Sequence, residues 1–310
     1  MTEKTAKQIE EMKKQTFGVE IETAGLGRKE AAQLIARYYG TENTVSYAGN
    51  GYDTWICQDN KGRTWQAMKD SSVRAINGKM AEVVTPILTY EDMEDLQEIS
   101  RKLRRAGAVS NPDYGCGVHI HIGANGQTAK SLRNLANIMA SHEELIAKAL
   151  DLSHRRMSQY CQTVDRGFLQ RVNRKKPESM SDLAEIWYGD RSQSHGHYHN
   201  SRYHMLNLHA TFTKGTIEYR LFQFDNPHDG KKGGIHAGQL KSYIQLCLAL
   251  SQMVKMVRSA SHKPQQNENP RFALRTWLLR LGFIGEEFAT ARKIFLDRLE
   301  GDTAFRFGKN

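Results

Sequence analysis

The most constraining feature of this sequence is a short alternation near its beginning, Val19-Glu20-Ile21-Glu22. Successive side chains of a β-strand point to opposite faces, so this run places two apolar side chains on one face and two carboxylates on the other. We predict a strand over residues 17–23. The chain must therefore supply a hydrophobic core on one side of this strand and a partner for two acids on the other.

Two later segments repeat this design with other ionisable side chains. In residues 118–122 the alternate positions are His119 and His121, and in residues 217–221 they are Glu218 and Arg220. If the three strands share one sheet, their charged faces form a continuous polar floor. Neighbours on one face of a strand lie about 6–7 Å apart, a spacing at which two carboxylates can serve two metal ions.

The charged faces have two interpretations. Antiparallel sheets often leave one face in water, and each strand alone fits that interpretation. Solvated faces, however, usually mix Lys, Thr, Ser and Gln, whereas these positions hold Glu, His and Arg. Carboxylates buried without cations would each carry a penalty on the order of several kcal/mol. The three strands together favour a cation site, and their oxygen-rich ligands favour Mg²⁺ or Mn²⁺ over a closed zinc site.

The remaining sequence predicts strands interleaved with helices. Residues 205–213 and 216–224 are predicted to form a hairpin across Lys214 and Gly215, and the chain after Ile235 is predicted to be helical. Several strands join through short turns, so we predict an antiparallel sheet and the α+β class. The other predicted strands are residues 52–58, 63–69, 80–85 and 117–123, and the other predicted helices are residues 29–39, 89–105 and 128–150.

The 310 residues allow one large domain or two small ones. We predict a polar N-terminal lead-in over residues 1–16 and one domain over residues 17–310. Within that domain, the sheet core is expected over residues 17–225 and a helical part over residues 235–310.

Composition limits the class of protein and its location. The formal net charge of +10 is compatible with a nucleic acid, a nucleotide or an acidic substrate, but no recognisable nucleic-acid-binding motif is present. The chain lacks an apolar run of about eighteen residues and an apolar N-terminal stretch, so we expect a cytoplasmic protein without membrane spans.

The widely spaced cysteines predict reduced thiols. They are Cys57, Cys116, Cys161 and Cys247.

Six short segments, in chain order, carry a resemblance to a known family. They are residues 17–22, 70–72 (Asp-Ser-Ser), 81–86 (Ala-Glu-Val-Val-Thr-Pro), 116–121 (Cys-Gly-Val-His-Ile-His), 202–207 and 216–222 (Thr-Ile-Glu-Tyr-Arg-Leu-Phe). Each segment is weakly specific alone, but their order over residues 17–222 resembles the amidoligase family. This family is a branch of the glutamine synthetase and glutamate–cysteine ligase superfamily.

The resemblance implies a fold and a set of site residues. The implied fold is a glutamine-synthetase-like curved antiparallel sheet, with ATP and metals on its concave face and helices on its outer face. Glu20 and Glu22 would bind separate metals, and His119 is favoured over His121 as the imidazole ligand. The implied metal ligands are Glu20, Glu22, Glu82, His119 and Glu218; the implied catalytic residues are Arg202, Arg220 and Asp70; the implied ATP- or substrate-binding residues are Ser71, Ser72, His121 and Asn207.

The resemblance also implies the reaction. ATP and Mg²⁺ (or Mn²⁺) would phosphorylate a carboxylate, and an amine would then displace the phosphate to give a peptide-like or isopeptide-like amide and ADP. The partners are therefore small-molecule or peptide carboxylates and amines, and the basic charge favours an acidic acceptor such as glutamate. A homo-oligomer is compatible with the sequence, whereas a nucleic-acid partner is not favoured.

Two other functions fit parts of the sequence. A guanidino-type phosphotransferase would use a related fold and would give a phosphorylated product without a second amine substrate. A basic nucleic-acid- or protein-binding module with a decayed ligase site would use the net charge of +10. Retention of the whole charged set argues against decay, because a binding module does not need it.

Three further features favour structural roles. The histidines of residues 195–199, with His204 and His209, could form a second metal site but are more typical of a surface or lid loop. The glycine-rich residues 229–234 lack the full phosphate-binding loop pattern and are predicted to be a connector. Cys116 is predicted to be a packed small residue, because no base pairs with it in its motif.

Overall fold

The computed structural model describes residues 2–189, 196, 198–226, 233–264 and 268–305. These residues form two compact units, each drawn from separated parts of the chain. The strand unit comprises Thr16–His121 and Phe222–Lys241, and the helical unit comprises Met1–Gln15, Ile122–Leu221 and Ser242–Asn310. A single domain over residues 17–310 stays a prediction.

The strand unit is built on an antiparallel ladder. Its strands hydrogen-bond in the order β2-β3-β4-β5-β1-β6, and the four pairings from β2 to β1 are antiparallel. This confirms the predicted α+β class with antiparallel strands; the curvature of the sheet stays a prediction. The strands are β1 (Phe17–Ala24), β2 (Ser46–Tyr47), β3 (Trp55–Gln58), β4 (Thr64–Met68), β5 (Met80–Val84) and β6 (Val118–Gly123), the last of which begins in this unit.

The apolar face of the ladder is buried as the alternation predicts. Val19 and Ile21 are 1% and 0% exposed, and Val118 and Ile120 are both fully buried. Helix α2 (Arg28–Tyr39) contacts β3, β4 and β5, and it also contacts α3 (Met93–Arg105). Because the apolar side chains of β1 and β6 pack in the core on one face, the ionisable side chains of these strands lie on the other face.

Local signals set the ends of both helices. Helix α2 ends at Gly40, whose φ of 70° is left-handed and is favoured in glycine. Before α3, the backbone N–H of Thr89 donates to the Asp92 carboxylate at 2.8 Å, which forms a capping box. In the β3–β4 turn, the Asp59 carboxylate accepts the backbone N–H of Arg63 at 3.0 Å.

The helical unit carries most of the helices and a two-stranded pairing. Residues 3–13 of the predicted lead-in are helical, and Met12 of this helix is 1% exposed. The helices are α1 (Glu3–Lys13), α4 (Ala129–Leu150), α5 (His154–Gln159), α6 (Arg166–Lys175), α7 (Met180–Tyr188), α8 (His209–Lys214), α9 (Ala237–Met256, which begins in the strand unit), α10 (Pro270–Arg280) and α11 (Ala289–Leu296); the strands are β7 (Leu206–Asn207) and β8 (Thr216–Phe222).

The predicted hairpin over residues 205–224 is wrong in its first arm. β7 and β8 do pair antiparallel, but β7 has only two residues and α8 follows it. The Asn207 side-chain oxygen accepts the backbone N–H of His209 at 2.9 Å, which turns the chain out of the strand. Gly215, at a φ of 70°, ends α8 and returns the chain to β8.

The cysteines behave as the sequence predicts. All four are buried, and none forms a disulfide. Cys116 is 0% exposed and packs with Ala24, Val73 and Met80, which confirms its structural role.

Among the described residues, no helix combines the length and apolar character that a membrane crossing requires.

Candidate functional site

Two carboxylates face each other across the centre of the strand unit. Glu22 on β1 lies directly opposite Glu82 on β5 in the antiparallel register. Their residues are only 4% and 8% exposed. Like charges at this position destabilise a strand pair, and burial adds a desolvation penalty. The solvated-face interpretation is therefore wrong for Glu22, and Glu82 is buried opposite it.

Glu22 is held by the backbone of the neighbouring segment. The Gly117 N–H donates to Glu22 Oε2 at 2.5 Å, and the Glu22 N–H donates to the Gly117 carbonyl at 3.1 Å. These two bonds join β1 to the residue that precedes β6. The carboxylate is thereby fixed in position, and its second oxygen lies 3.7 Å from His119 Nε2 on β6.

Two imidazoles from β6 contact the same group of acids. His119 Nδ1 lies 3.0 Å from Glu20 Oε2, and His121 Nε2 lies 3.2 Å from Glu20 Oε1. His119 Nε2 is also 3.7 Å from Glu22 Oε1. Burial raises the pKa of Glu20, but the charges and hydrogen bonds of the two histidines together hold this pKa well below its usual range. Glu20 is therefore an anion at neutral pH.

Within the strand unit, the potential metal ligands gather in two groups that share one acid, Glu82. Glu20, Glu82 and His119 each offer an atom within 4.8 Å of the others, and Glu22, Asp70 and Glu82 do the same. The donors are carboxylate oxygens with one imidazole nitrogen, a set that suits Mg²⁺ or Mn²⁺. Glu20 and Glu22 fall into different groups, as two separate metals would require. Their roles as ligands stay predictions.

The segment with Asp70, Ser71 and Ser72 forms a tight turn beside this group. The Ser72 N–H donates to Asp70 Oδ1 at 2.6 Å, whereas Ser71 is exposed. Gly115, at a φ of 76°, lies against the turn, and a Cβ at this position would be 2.5 Å from the Ser72 carbonyl oxygen. The turn is therefore shaped by close backbone contact, and the predicted ATP-binding role of the serines is untested.

The helical unit holds a second buried polar set. Arg220 Nη1 lies 2.5 Å from Glu218 Oε1, and the Asn207 amide donates to Glu218 Oε2 at 2.6 Å. All three residues are at most 5% exposed. Glu218 and Arg220 lie two residues apart on β8, and Asn207 lies opposite Glu218 in the β7–β8 register, so the strand alternation sets this arrangement.

The predicted phosphate-binding arginines are arranged around one aromatic ring. The guanidinium carbons of Arg202 and Arg220 lie 5.7 and 5.9 Å from the centre of the Tyr203 ring. Tyr198 adds a second ring at 5.2 Å from Arg202. Arg202 Nε is buried, and no hydrogen-bond partner for it occurs among the described residues. An anion bound here would satisfy that donor.

A third arginine of this set was not predicted from the sequence. Arg156 on α5 is 5% exposed, and its Nη2 donates to the Arg220 carbonyl at 2.8 Å. The two residues are 64 positions apart. No local pattern in the sequence marks such a contact, because it depends on how α5 packs within the helical unit.

The contact between Tyr188 and His209 was also not predicted from the sequence. Tyr188, the last residue of α7, hydrogen-bonds through its hydroxyl to His209 Nδ1 at 2.5 Å. Burial raises the pKa of Tyr188 to about 12, so the phenol is protonated at neutral pH and donates to Nδ1 when His209 carries its proton on Nε2. His209 had been considered only for a second metal site.

That second metal site is not supported by the part of the chain that the structure describes. The groups of three potential ligands found there include neither His199, His204 nor His209. His195 and His197 lie outside the described residues, as do residues 229–232 of the glycine-rich connector.

The chain belongs to the amidoligase family. The family described as "Putative amidoligase enzyme" matches residues 13–251, which is most of the chain. The match includes every residue that the sequence had placed in the site, and it confirms the resemblance drawn from the six short segments.

Other comparisons are more distant. The chain resembles the crystal structure of a bifunctional glutathione synthetase from Pasteurella multocida, with 15% identity and a TM-score of 0.41. This similarity covers 95% of the present chain and 48% of the synthetase, so the chain spans about half the length of that protein. No curated protein matches the chain.

Proposed function

We propose that this protein is an ATP-dependent, ADP-forming ligase that joins a carboxylate to an amine. The observation that carries the proposal is the buried opposition of Glu22 and Glu82, with Glu20, Asp70 and His119 in the two adjoining ligand groups. Several acids buried close together are stable as anions only when cations compensate their charge. Because the chain is a member of the amidoligase family, we assign this cation site to amide formation.

The strand unit would hold the metals. Glu20, Glu82 and His119 form one candidate shell, and Glu22, Asp70 and Glu82 form the other. Divalent metals bound there would neutralise the phosphates of ATP and orient the terminal phosphoryl group. The Gly117 N–H fixes the Glu22 carboxylate, so this ligand is positioned before a metal arrives.

The helical unit would supply the arginines. Arg220 is oriented by Glu218, whose other oxygen is held by Asn207. Arg202 has the buried Nε described above, which is suited to an anionic oxygen. We assign both guanidinium groups to the transferred phosphoryl group, because their donors match its oxygens.

The reaction follows from the weakness of a carboxylate as an electrophile. Its oxygen attacks the terminal phosphorus of ATP, and ADP leaves with the electron pair of the broken bond. The resulting acyl phosphate is then attacked by an amine, so that a C–N bond forms and inorganic phosphate leaves. The basic surface favours an acidic substrate such as glutamate or a glutamyl peptide.

The test is ADP release with Mg²⁺ and ATP across pools of amino acids, polyamines and peptides. The wild type is expected to release ADP only when both a carboxylate and an amine are present. Glu22→Ala is expected to lower the rate at least about 100-fold, because it removes several kcal/mol of charge stabilisation. Glu91→Ala, at an exposed position, is the matched control and should retain the wild-type rate.

Two results would contradict the proposal. One is a wild type whose ADP release in every pool stays at the level of Glu22→Ala. The other is a stable phosphorylated guanidine as the product without any amide, which would favour the guanidino-type phosphotransferase.

A further inference from the structure

Amide formation by the proposed reaction releases a proton that some group must accept. The attacking nitrogen carries an extra proton once the C–N bond forms. Among the residues assigned to the site, the carboxylates and His119 are committed to cations, His121 is paired with Glu20, and the arginines stay protonated. The proposed function therefore lacks a proton acceptor, and the helical unit contains a candidate.

The Tyr188–His209 pair is linked by hydrogen bonds to the buried Glu218. The backbone N–H of His209 donates to Asn207 Oδ1 at 2.9 Å, and the Asn207 side-chain amide donates to Glu218 Oε2 at 2.6 Å. Asn207 thus holds both the carboxylate that orients Arg220 and the start of the helix that carries His209. Asn207 therefore helps to position both the Tyr188–His209 pair and Arg220, one of the predicted phosphate-binding residues.

The two members of the pair differ in accessibility. His209 is 4% exposed, whereas Tyr188 is partly exposed at the end of α7. The phenol hydroxyl lies 2.5 Å from His209 Nδ1. Tyr188 is therefore the member that a small amine can reach, and His209 is the buried base behind it.

The phenol is held in place from several sides. Its ring makes an edge contact with the ring of His199 and a tilted contact with the ring of Phe212, with ring centres 5.0 and 5.7 Å apart. The preceding residue, Trp187, donates its indole N–H to Ser201 Oγ at 2.8 Å, which fixes the end of α7 to residues 199–201. Such rigidity is typical of a group that must meet a substrate in one orientation.

We propose that Tyr188 and His209 form the proton-accepting group of the amine site, an inference that rests on the proposed ligase function. The nitrogen lone pair forms the C–N bond while the C–O bond to phosphate breaks and its electron pair leaves with phosphate. The extra proton on nitrogen passes to Tyr188 Oη as the phenol proton passes to His209 Nδ1. Tyr188 ends neutral and His209 ends as an imidazolium.

Hydroxylamine separates this role from a structural one. It is unprotonated at neutral pH and attacks acyl phosphates without a general base, giving a hydroxamate. The wild type is incubated with ATP, Mg²⁺ and pooled amino acids as carboxylates, with either hydroxylamine or the amine pool as acceptor. General-base catalysis contributes about 10²–10⁴-fold, so Tyr188→Phe should lower amide formation by at least about 100-fold.

The inference predicts that Tyr188→Phe keeps hydroxamate formation within about 3-fold of the wild type, because the acyl phosphate still forms. His209→Gln should show the same split, and Tyr160→Phe, at another partly buried tyrosine of this unit, should change neither product. Equal loss of both products, or unchanged amide formation, in Tyr188→Phe would overturn the inference alone. A wild type that forms no hydroxamate would overturn the proposed function and the inference with it.

Discussion

Glu22 and Glu82 occupy directly opposed positions on two antiparallel strands, and both are nearly excluded from solvent. Two acids in this relationship repel each other when no cation lies between or beside them. The strand unit therefore stores an electrostatic cost that bound metal would relieve. Function at this position is expected to oppose stability in the metal-free protein.

Neutralising one of these acids should stabilise the protein when metals are removed. Glu82→Gln is expected to raise the free energy of unfolding by about 1–2 kcal/mol at pH 8 in EDTA, because the like-charge repulsion is lost. Urea denaturation measures this, with the exposed Glu91→Gln as a control that should change little. A destabilised Glu82→Gln would mean that the wild-type carboxylate is already compensated within the chain.

Arg156 should matter because it holds the backbone at Arg220. Arg156→Met removes the hydrogen bond to the Arg220 carbonyl and is expected to lower the free energy of unfolding by about 1–3 kcal/mol. Arg155→Met, at the exposed neighbouring position, should stay within about 0.5 kcal/mol of the wild type. Equal effects of the two changes in urea denaturation would contradict this role.

Gly115 should be intolerant of any side chain. Its φ of 76° costs an alanine about 1–2 kcal/mol, and the added Cβ would also lie 2.5 Å from the Ser72 carbonyl oxygen. Gly40→Ala is the control, since Gly40 has a φ of 70° and open space around the added carbon. Thermal unfolding should show a clearly larger loss for Gly115→Ala, and equal losses would contradict the close contact with the turn.

The alternation of β1 and β6 predicted which side chains lie in the core and which lie on the opposite face, because a strand period of two is a local property of the sequence. Val19 and Ile21 are buried on one face, and Glu20 and Glu22 join candidate ligand groups on the other. The register that places Glu22 opposite Glu82 could not be predicted from the sequence, because it depends on which strands become neighbours.

The sequence was less informative where function depends on distant contacts. The apolar alternation of residues 205–213 predicted a long strand, but the Asn207 bond to the His209 N–H starts a helix instead. The partners Tyr188 and His209 are 21 positions apart. Only the folded helical unit brings such side chains together.

Glu143 gives the protein a pH-dependent stability. Burial raises the pKa of this α4 carboxyl from 4.5 to about 7, although the Val164 N–H donates to it. The folded state therefore binds a proton more tightly than the unfolded state, and stability falls as pH rises from about 4.5 to about 7. The loss is about 3 kcal/mol at 1.36 kcal/mol per pKa unit.

Substitution at Glu143 checks this. Glu143→Gln keeps an oxygen for the Val164 N–H but cannot ionise, so its stability should not show the same fall between pH 5 and pH 8 in urea denaturation. Glu144→Gln, at the exposed neighbouring position, should retain the wild-type pH dependence. An unchanged pH dependence in Glu143→Gln would show that another group is responsible.

The most direct measurement of the central claim is the number of Mn²⁺ ions bound per chain in the presence of ATP, by equilibrium dialysis or by loss of the free-ion electron paramagnetic resonance signal. The two ligand groups that share Glu82 predict two ions for the wild type. Glu82→Gln should weaken both, and Glu91→Gln should weaken neither. A wild type that binds no Mn²⁺, or binds it equally well after Glu82→Gln, would contradict the account.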